Sequence, residues 1–267
     1  MISKIVIFTD LDGTLLHNET FKFENIRQYI KNLLSKNISL IPNSSKTKTE
    51  ILNFCHELEE ELPFIVENGA AIYKMNLVNS DFPEKIILSR DNKEILNVFL
   101  RKIPKEFISK CKFVLKLKKD EQLKIFGLSE KQLSYASDRE FSVPLLFKGN
   151  KVEKNNLFRL VSNMGLTMQE GGRVINLSDN VSKSFAMKKV KRIFEKTEKQ
   201  KLKIIGVGDN FNDLDMLKNS DIACLVFNEK FKLDTLNINN CLVSKKSAPE
   251  GWEEVVKMAL EKIQLCY

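Results

Sequence analysis

The chain has 267 residues, 43% of them hydrophobic and 29% charged, with a formal net charge of +8. That length suits one large domain or a core domain carrying a smaller insert, and the balance is that of an ordinary soluble globular protein. No stretch approaches the roughly 18 consecutive apolar residues of a membrane span, so no membrane partner is expected.

Residues Lys4 to Thr9 read as a buried strand, right behind a Met1-Ile2-Ser3 start with no signal-peptide layout. The strand runs into Asp10-Leu11-Asp12-Gly13-Thr14. Side chains at i and i+2 of an extended segment leave the same face, so two carboxylates enter one small volume while Gly13 lets the chain turn away. Like charges that close need a cation or a shared proton between them. A Mg²⁺ site in which one carboxylate has a second task satisfies that need. The plainer alternative is an acidic turn on the surface.

Phe23 to Ser35 has helical spacing, and Asn37 to Pro42 reads as the second strand. Next comes Pro42-Asn43-Ser44-Ser45-Lys46-Thr47, at the mouth of a helix expected from Lys48 to Glu61. A hydroxyl there, backed by helix N–H groups, is suited to phosphate oxygens, although a simple Ser/Thr cap accounts for it equally well. The strand Phe64 to Glu67 follows. Strand–helix alternation with short connections predicts an α/β fold on a Rossmann-like parallel sheet covered on both faces.

From about Pro83 to Glu170 the texture changes. Helices are expected at Asn92 to Arg101, Ser129 to Ala136 and Lys151 to Asn163, mixed with alternating strands such as Phe141 to Phe147. This predicts an α+β insertion over residues 84–170, capping a core made of 1–83 and 171–267.

The α/β rhythm then resumes. A helix is expected from Ser182 to Lys196, a strand from Lys203 to Gly208, a short helix from Asp213 to Lys218, a strand from Ile222 to Leu225 and an amphipathic helix from Glu250 to Gln264. Lys183 opens a helix at its positive dipole end, which an anion nearby would explain. The strand before Gly208 ends in Asp209, with Asp213 four residues on. Ligands gather at the carboxyl ends of strands in parallel sheets. Asp10, Asp12, Asp209 and Asp213 can therefore converge into an oxygen-rich set suited to Mg²⁺. Taken alone, Asp213 could be a helix cap.

The five cysteines are odd in number and lack a C-x-x-C pair, which favours reduced thiols in a cytoplasmic setting over a zinc site or disulfides. The lysines are dispersed, with no aromatic-interleaved basic stripe, so a small anionic molecule is the expected partner and nucleic acid is not. His17 and His56, the two histidines, build no Ser–His or Cys–His arrangement. Trp252 is expected to pack the last helix.

In this order and spacing the motifs resemble the haloacid dehalogenase superfamily of phosphohydrolases. Asp10-Leu11-Asp12-Gly13-Thr14 matches that family's opening signature, Gly208 to Asp213 matches its G-D-x-x-N-D closing form, and the insert looks like its type-2 (C2B) cap. Further segments are similar to the mannosyl-3-phosphoglycerate phosphatase branch. They are Asn43 to Thr47, Val66 to Tyr73, Arg139 to Ser142, Gly171-Gly172-Arg173 and Pro249 to Trp252. One departure is Val181-Ser182-Lys183-Ser184, where relatives commonly show Asp-Lys-Gly.

The resemblance implies a Mg²⁺-dependent phosphatase in which Asp10 is the nucleophile and Asp12 the acid and base. It implies Mg²⁺ held by Asp10, the Asp12 carbonyl, Asp209 and Asp213, and phosphate oxygens held by Ser44 and Lys183. Ser45 and Lys46 would bind substrate, as would Arg139 and Arg173, the two candidates for the glycerate carboxylate. A surface or hinge salt bridge is the competing reading of both arginines. The implied substrate is mannosyl-3-phosphoglycerate, with the glucosyl analogue or another sugar phosphate as the alternative.

Overall fold

The computed structural model describes residues 4–171, 173–197, 201–229, 238 and 241–264. Two compact units emerge. The first takes the described residues within Met1–Ser45, Phe54–Ile86 and Ser182–Tyr267, and the second those within Lys46–Asn53 and Ile87–Val181.

The first unit is built on a five-stranded sheet. Its strands are β1 (Lys4–Thr9), β2 (Ser39–Pro42), β10 (Leu202–Gly208), β11 (Ile222–Leu225) and β12 (Leu242–Val243). They run in the order β12-β11-β10-β1-β2 with every neighbour parallel. Val6, Ile7 and Phe8 are all fully buried, so both faces of β1 are covered, which is why its sequence is an unbroken apolar run. The helices of this unit are α1 (Arg27–Ser35), the end of α2 (Lys48–Leu58), α8 (Lys183–Thr197), α9 (Leu214–Lys218) and α10 (Glu250–Gln264). Helix α10 buries Trp252, Val255, Val256, Ala259 and Ile263, a single stripe at helical spacing, against β10 and β11.

One expectation is corrected here. The strand at Phe64 does not extend the parallel sheet. β3 (Phe64–Val66) pairs antiparallel with β4 (Ala71–Tyr73), and β5 (Lys85–Ile87) joins β4 to complete a separate three-stranded sheet. The cause is local. Glu67, Asn68 and Gly69 all take positive φ (46°, 59° and 100°), which reverses the chain straight after β3. A single bridge, Asn43 to Ile65, links β3 to the residue that follows β2.

The second unit is α+β. Its antiparallel sheet has the order β6-β7-β9-β8, from β6 (Cys111–Phe113), β7 (Ser142–Phe147), β8 (Leu166–Glu170) and β9 (Ile175–Asp179). Around it stand α3 (Asn92–Lys102), α4 (Lys105–Ile108), α5 (Lys119–Phe126), α6 (Glu130–Ser137) and α7 (Lys151–Ser162). β9 lies between β7 and β8 in that sheet, so the second unit runs on past the expected edge at 170 to Val181. It also takes in residues 46–53, well before the expected start at 84. No helix among the described residues is long and apolar enough to cross a membrane. Four cysteines, Cys55, Cys111, Cys224 and Cys241, are free thiols, and Cys266 lies outside the described residues.

Candidate active site

Neighbouring parallel strands deliver the acidic residues. Thr9 at the end of β1 is in register with Val207 on β10, and the Asp10 N–H donates to the Val207 carbonyl at 2.9 Å. The chains leaving β1 and β10 therefore exit the same rim of the sheet, carrying Asp10 and Asp209. Oxygens of Asp10, Asp209 and Asp213 lie within 4.8 Å of one another, and all three residues are buried.

A buried cation sits in this cluster. Lys183, 1% exposed, places Nζ 2.8 Å from Asp10 Oδ2 and 2.7 Å from Asp213 Oδ1. Burial works against its charge, yet the Asp10 and Asp213 carboxylates outweigh burial and raise the ammonium pKa well above the ordinary lysine range. The anion expected beside this helix-opening lysine is thus supplied by the protein itself.

The remaining oxygens are held in place. Asp10 Oδ1 accepts from the Leu11 N–H at 2.8 Å. Asp209 Oδ1 accepts from Thr14 Oγ1 and Asp209 Oδ2 from Asn228 Nδ2, both at 2.7 Å. Asp213 Oδ2 accepts from the N–H groups of Asp209 (3.1 Å) and Asn210 (3.2 Å). Three buried carboxylates still face one lysine. Burial, then the Asp213 and Asp10 charges, push Asp209 far above the usual carboxylate range. Burial also raises Asp213, against the pull of Lys183 and with the help of Asp10. A hard divalent cation with oxygen ligands fits that donor set and its surplus of negative charge.

Asp12 is half-buried, and its carboxylate is not one of the three clustered groups. It heads the turn closed by the Gly13 N–H to the Leu16 carbonyl at 2.9 Å. Gly13 has φ +77°, and a Cβ on it would lie 2.8 Å from Asp209 Oδ2, so the close approach of this turn to Asp209 needs glycine. Ser44 is fully buried: its N–H donates to the Ile65 carbonyl at 3.2 Å and its carbonyl accepts from the Asn68 N–H at 2.9 Å. Asn43 Nδ2 donates to the Lys183 carbonyl at 2.9 Å, which ties the Ser44 connection to the start of α8. Ser45, half-buried, follows in the same connection.

The other expected substrate residues belong to the second unit. There Lys46 Nζ lies 3.3 Å from Glu50 Oε1, while Glu50 Oε2 accepts from the Thr47 N–H at 2.9 Å. Arg139 donates from Nη1 to Ser142 Oγ at 3.0 Å and from Nε to the Ala136 carbonyl at 3.2 Å. Its charge also bears on Glu50, which Lys46 and Arg139 together hold below the usual carboxylate range despite burial. The charges of Lys46 and Arg139 thus both act on Glu50. Arg173 is exposed and donates to the Phe126 carbonyl at the end of α5. Gly172 of that motif lies outside the described residues.

Thr14, Asn228 and Glu50 are not among the residues expected at the site. Thr14 closes the Asp10 to Thr14 motif. Glu50 was legible as the fourth residue of Thr47-Lys48-Thr49-Glu50, the capping-box pattern. Asn228 follows β11 in a segment with no periodic or motif signal.

The haloacid dehalogenase-like hydrolase family matches residues 7–236. The chain belongs to that family. It is accordingly a phosphoric monoester hydrolase, the class to which its curated relatives also belong. A glucosyl-3-phosphoglycerate/mannosyl-3-phosphoglycerate phosphatase from Persephonella marina is 31% identical over 97% of this chain and 98% of its own. A protein of the same name from Methanococcoides burtonii is 28% identical over 95% and 96%. Among solved structures, a phosphatase of the superfamily from Bacteroides thetaiotaomicron superposes with a TM-score of 0.70 at 15% identity, covering 96% of this chain and 95% of that one. A subclass IIB sugar phosphatase gives 0.64 at 16% identity, covering 97% and 98%. At those identities the likeness bears on the fold alone, an α/β core with an inserted α+β unit.

Proposed function

We propose that this hydrolase is a Mg²⁺-dependent phosphatase that converts mannosyl-3-phosphoglycerate, or its glucosyl analogue, to the sugar-glycerate and phosphate. The observation that carries the reading is the buried Asp10–Lys183–Asp213 constellation with Asp209 beside it. An oxygen of Asp10, held at its other oxygen by the Leu11 N–H, attacks phosphorus as the bond to the glycerate oxygen breaks, giving an aspartyl-phosphate. Asp12 gives its proton to the departing alkoxide, then takes one from the water that attacks the phosphorus of the intermediate. That second step releases phosphate and restores the Asp10 carboxylate. Asp12 is suited to this exchange because its carboxylate stands outside the buried cluster. Lys183 and the Ser44 connection stabilise the transferring oxygens, where charge builds in the transition state. Asp10, Asp209, Asp213 and the Asp12 carbonyl would hold the cation, whose contribution is to offset the repulsion between an anionic nucleophile and a dianionic phosphate. Lys46 and Arg139 are assigned to the glycerate carboxylate, which suits an ammonium and a planar guanidinium. Arg173 is the second candidate for that carboxylate, and Ser45 accompanies Lys46.

Names of relatives support both sugars. The test is phosphate release across a panel of the mannosyl and glucosyl compounds, other sugar phosphates and simple aryl phosphates, with and without Mg²⁺. The expected result is a strong preference for the sugar-glycerates and dependence on the cation. Equal turnover of unrelated phosphates would remove the assigned substrate while leaving the hydrolase.

A further inference from the structure

Directly behind the Asp12 turn lies a second closed loop, and one side chain holds it. The Leu16 N–H donates to the Leu11 carbonyl at 2.8 Å, while the Leu16 carbonyl accepts from the Gly13 N–H. A β-bridge links Leu16 to Asp12, and Leu16 is buried, so it anchors the far end of the turn. His17 then opens the loop of residues 17–22. Its N–H donates to the Lys22 carbonyl at 3.0 Å, and its carbonyl accepts from the Phe21 N–H at 2.9 Å. The peptide between Leu16 and His17 is all that separates the two closed segments.

The tip of this loop has no core of its own, because Asn18, Glu19 and Thr20 are exposed. The half-buried imidazole orders it: His17 Nδ1 accepts from the N–H groups of Glu19 and Thr20, each at 3.2 Å. An accepting Nδ1 leaves the ring hydrogen on Nε2. A side-chain acceptor for nearby N–H groups further along the chain is the device that Asn, Asp and Ser use in turns. Phe21 stands at φ +58°, a backbone that a bulky residue keeps only where its surroundings impose it.

We propose that His17 is a positioning residue for Asp12. By holding the 17–22 loop, its imidazole fixes the far end of the turn on which the proton-carrying carboxylate is mounted. This rests on the functional reading above. Asp12 must serve two oxygens in succession, that of the departing alkoxide and that of the attacking water, so small errors in its placement are costly. Asp10, Asp209 and Asp213 take their hold from hydrogen bonds to their own carboxylate oxygens. The effect of His17 is therefore confined to Asp12.

The test uses p-nitrophenyl phosphate, whose leaving group departs without a proton. Wild type is compared with His17→Ala, His17→Asn, Asp12→Asn and the Asp12→Asn/His17→Ala double variant. His17→Ala should keep a rapid first release of about one equivalent of p-nitrophenol and then turn over about tenfold more slowly, as phosphoenzyme accumulates. His17→Asn should recover wild-type turnover to within about twofold, since its Oδ1 can accept the same two N–H groups. In the Asp12→Asn background, His17→Ala should cost less than about twofold, because the group it positions is already gone. Wild-type turnover in His17→Ala, loss of its rapid first release, an Asn variant as slow as the Ala variant, or a tenfold loss in the Asp12→Asn background each overturns the inference. Should His17→Ala fail to fold, His17→Leu, which keeps the volume without the acceptor, is read by the same criteria. Near-normal turnover of Asp12→Asn itself overturns the functional reading of Asp12, and this inference with it.

Discussion

Trp252 Nε1 donates to Thr9 Oγ1 at 2.9 Å across 243 positions of sequence, and the Thr9 hydroxyl donates onward to the Asp10 carbonyl at 2.7 Å. The last helix thus fastens the end of β1 at the residue before Asp10. Trp252→Phe keeps an aromatic ring but removes the donor and leaves a partial cavity at a fully buried site. The expected cost is about 2–3 kcal/mol. Urea denaturation would read it as a lowered midpoint at constant slope. An unmoved midpoint would mean that neither the indole hydrogen bond nor its volume secures the end of β1.

Lys183 is the sole lysine among the described residues paired with two carboxylates of the cluster. Lys183→Met would leave Asp10, Asp209 and Asp213 buried together with no counter-charge. Breaking a buried ion pair from one side typically costs about 3–5 kcal/mol. Turnover should be lost, and added Mg²⁺ should raise the melting temperature of the variant more than that of wild type. If Mg²⁺ leaves the variant's melting temperature where it was, the cluster is not where the cation binds.

Asp12 is assigned a proton-carrying role, and its carboxylate stands apart from the clustered three. Asp12→Asn should therefore lower kcat about 100-fold or more, in line with loss of one positioned acid and base. Stability should change little, since the half-buried side chain leaves the cluster intact. Rapid-quench measurement of the phosphoenzyme would separate the two half-reactions. Near-normal kcat in this variant would end the assignment.

What the sequence disclosed depended on how local the cause was. β1 and β11 could be read because they are apolar runs bounded by turn signals, and α10 because its buried stripe has a single helical period. The convergence of Asp10 with Asp209 was legible because parallel strands aim their ends at one rim. β3 was misread as part of that sheet because its partner is decided after it, by the positive-φ run at Glu67, Asn68 and Gly69. Gly69 and Asn68 are residues that take such a backbone readily, but Glu67 is not. β12, two half-buried residues, carries too little pattern to detect. Arg139 and Lys46 stand out by resemblance, while Glu50, on which both charges act, is hidden behind its role as a helix cap.

Gly69 links two parts of the site region. Its φ is +100°, and a Cβ there would come within 2.2 Å of the Ser182 carbonyl oxygen, backbone that cannot swing aside. The preceding residue, Asn68, holds the Ser44 carbonyl through its N–H. Gly69→Ala must therefore displace the start of α8, the Ser44 connection, or both. We expect a loss of about 2–4 kcal/mol and reduced kcat in the protein that still folds. Denaturation midpoints with matched kinetics test this, and wild-type values in both would show that the turn is more yielding than its geometry states.

Glu50 gives stability a distinct pH dependence. Burial alone would raise its pKa, but Lys46, Arg139 and the Thr47 N–H outweigh burial and bring it below the ordinary 4.5. A depressed folded pKa means that the ionised carboxylate stabilises the fold fully above the unfolded value. That contribution disappears as pH falls from there through the lower folded value. Glu50→Gln retains an acceptor for the Thr47 N–H and removes only the charge. The melting-temperature gap between wild type and Glu50→Gln should be constant from about pH 7 to about pH 5 and should close on further acidification. A gap that persists unchanged to about pH 3 would show that the Glu50 charge does no stabilising there.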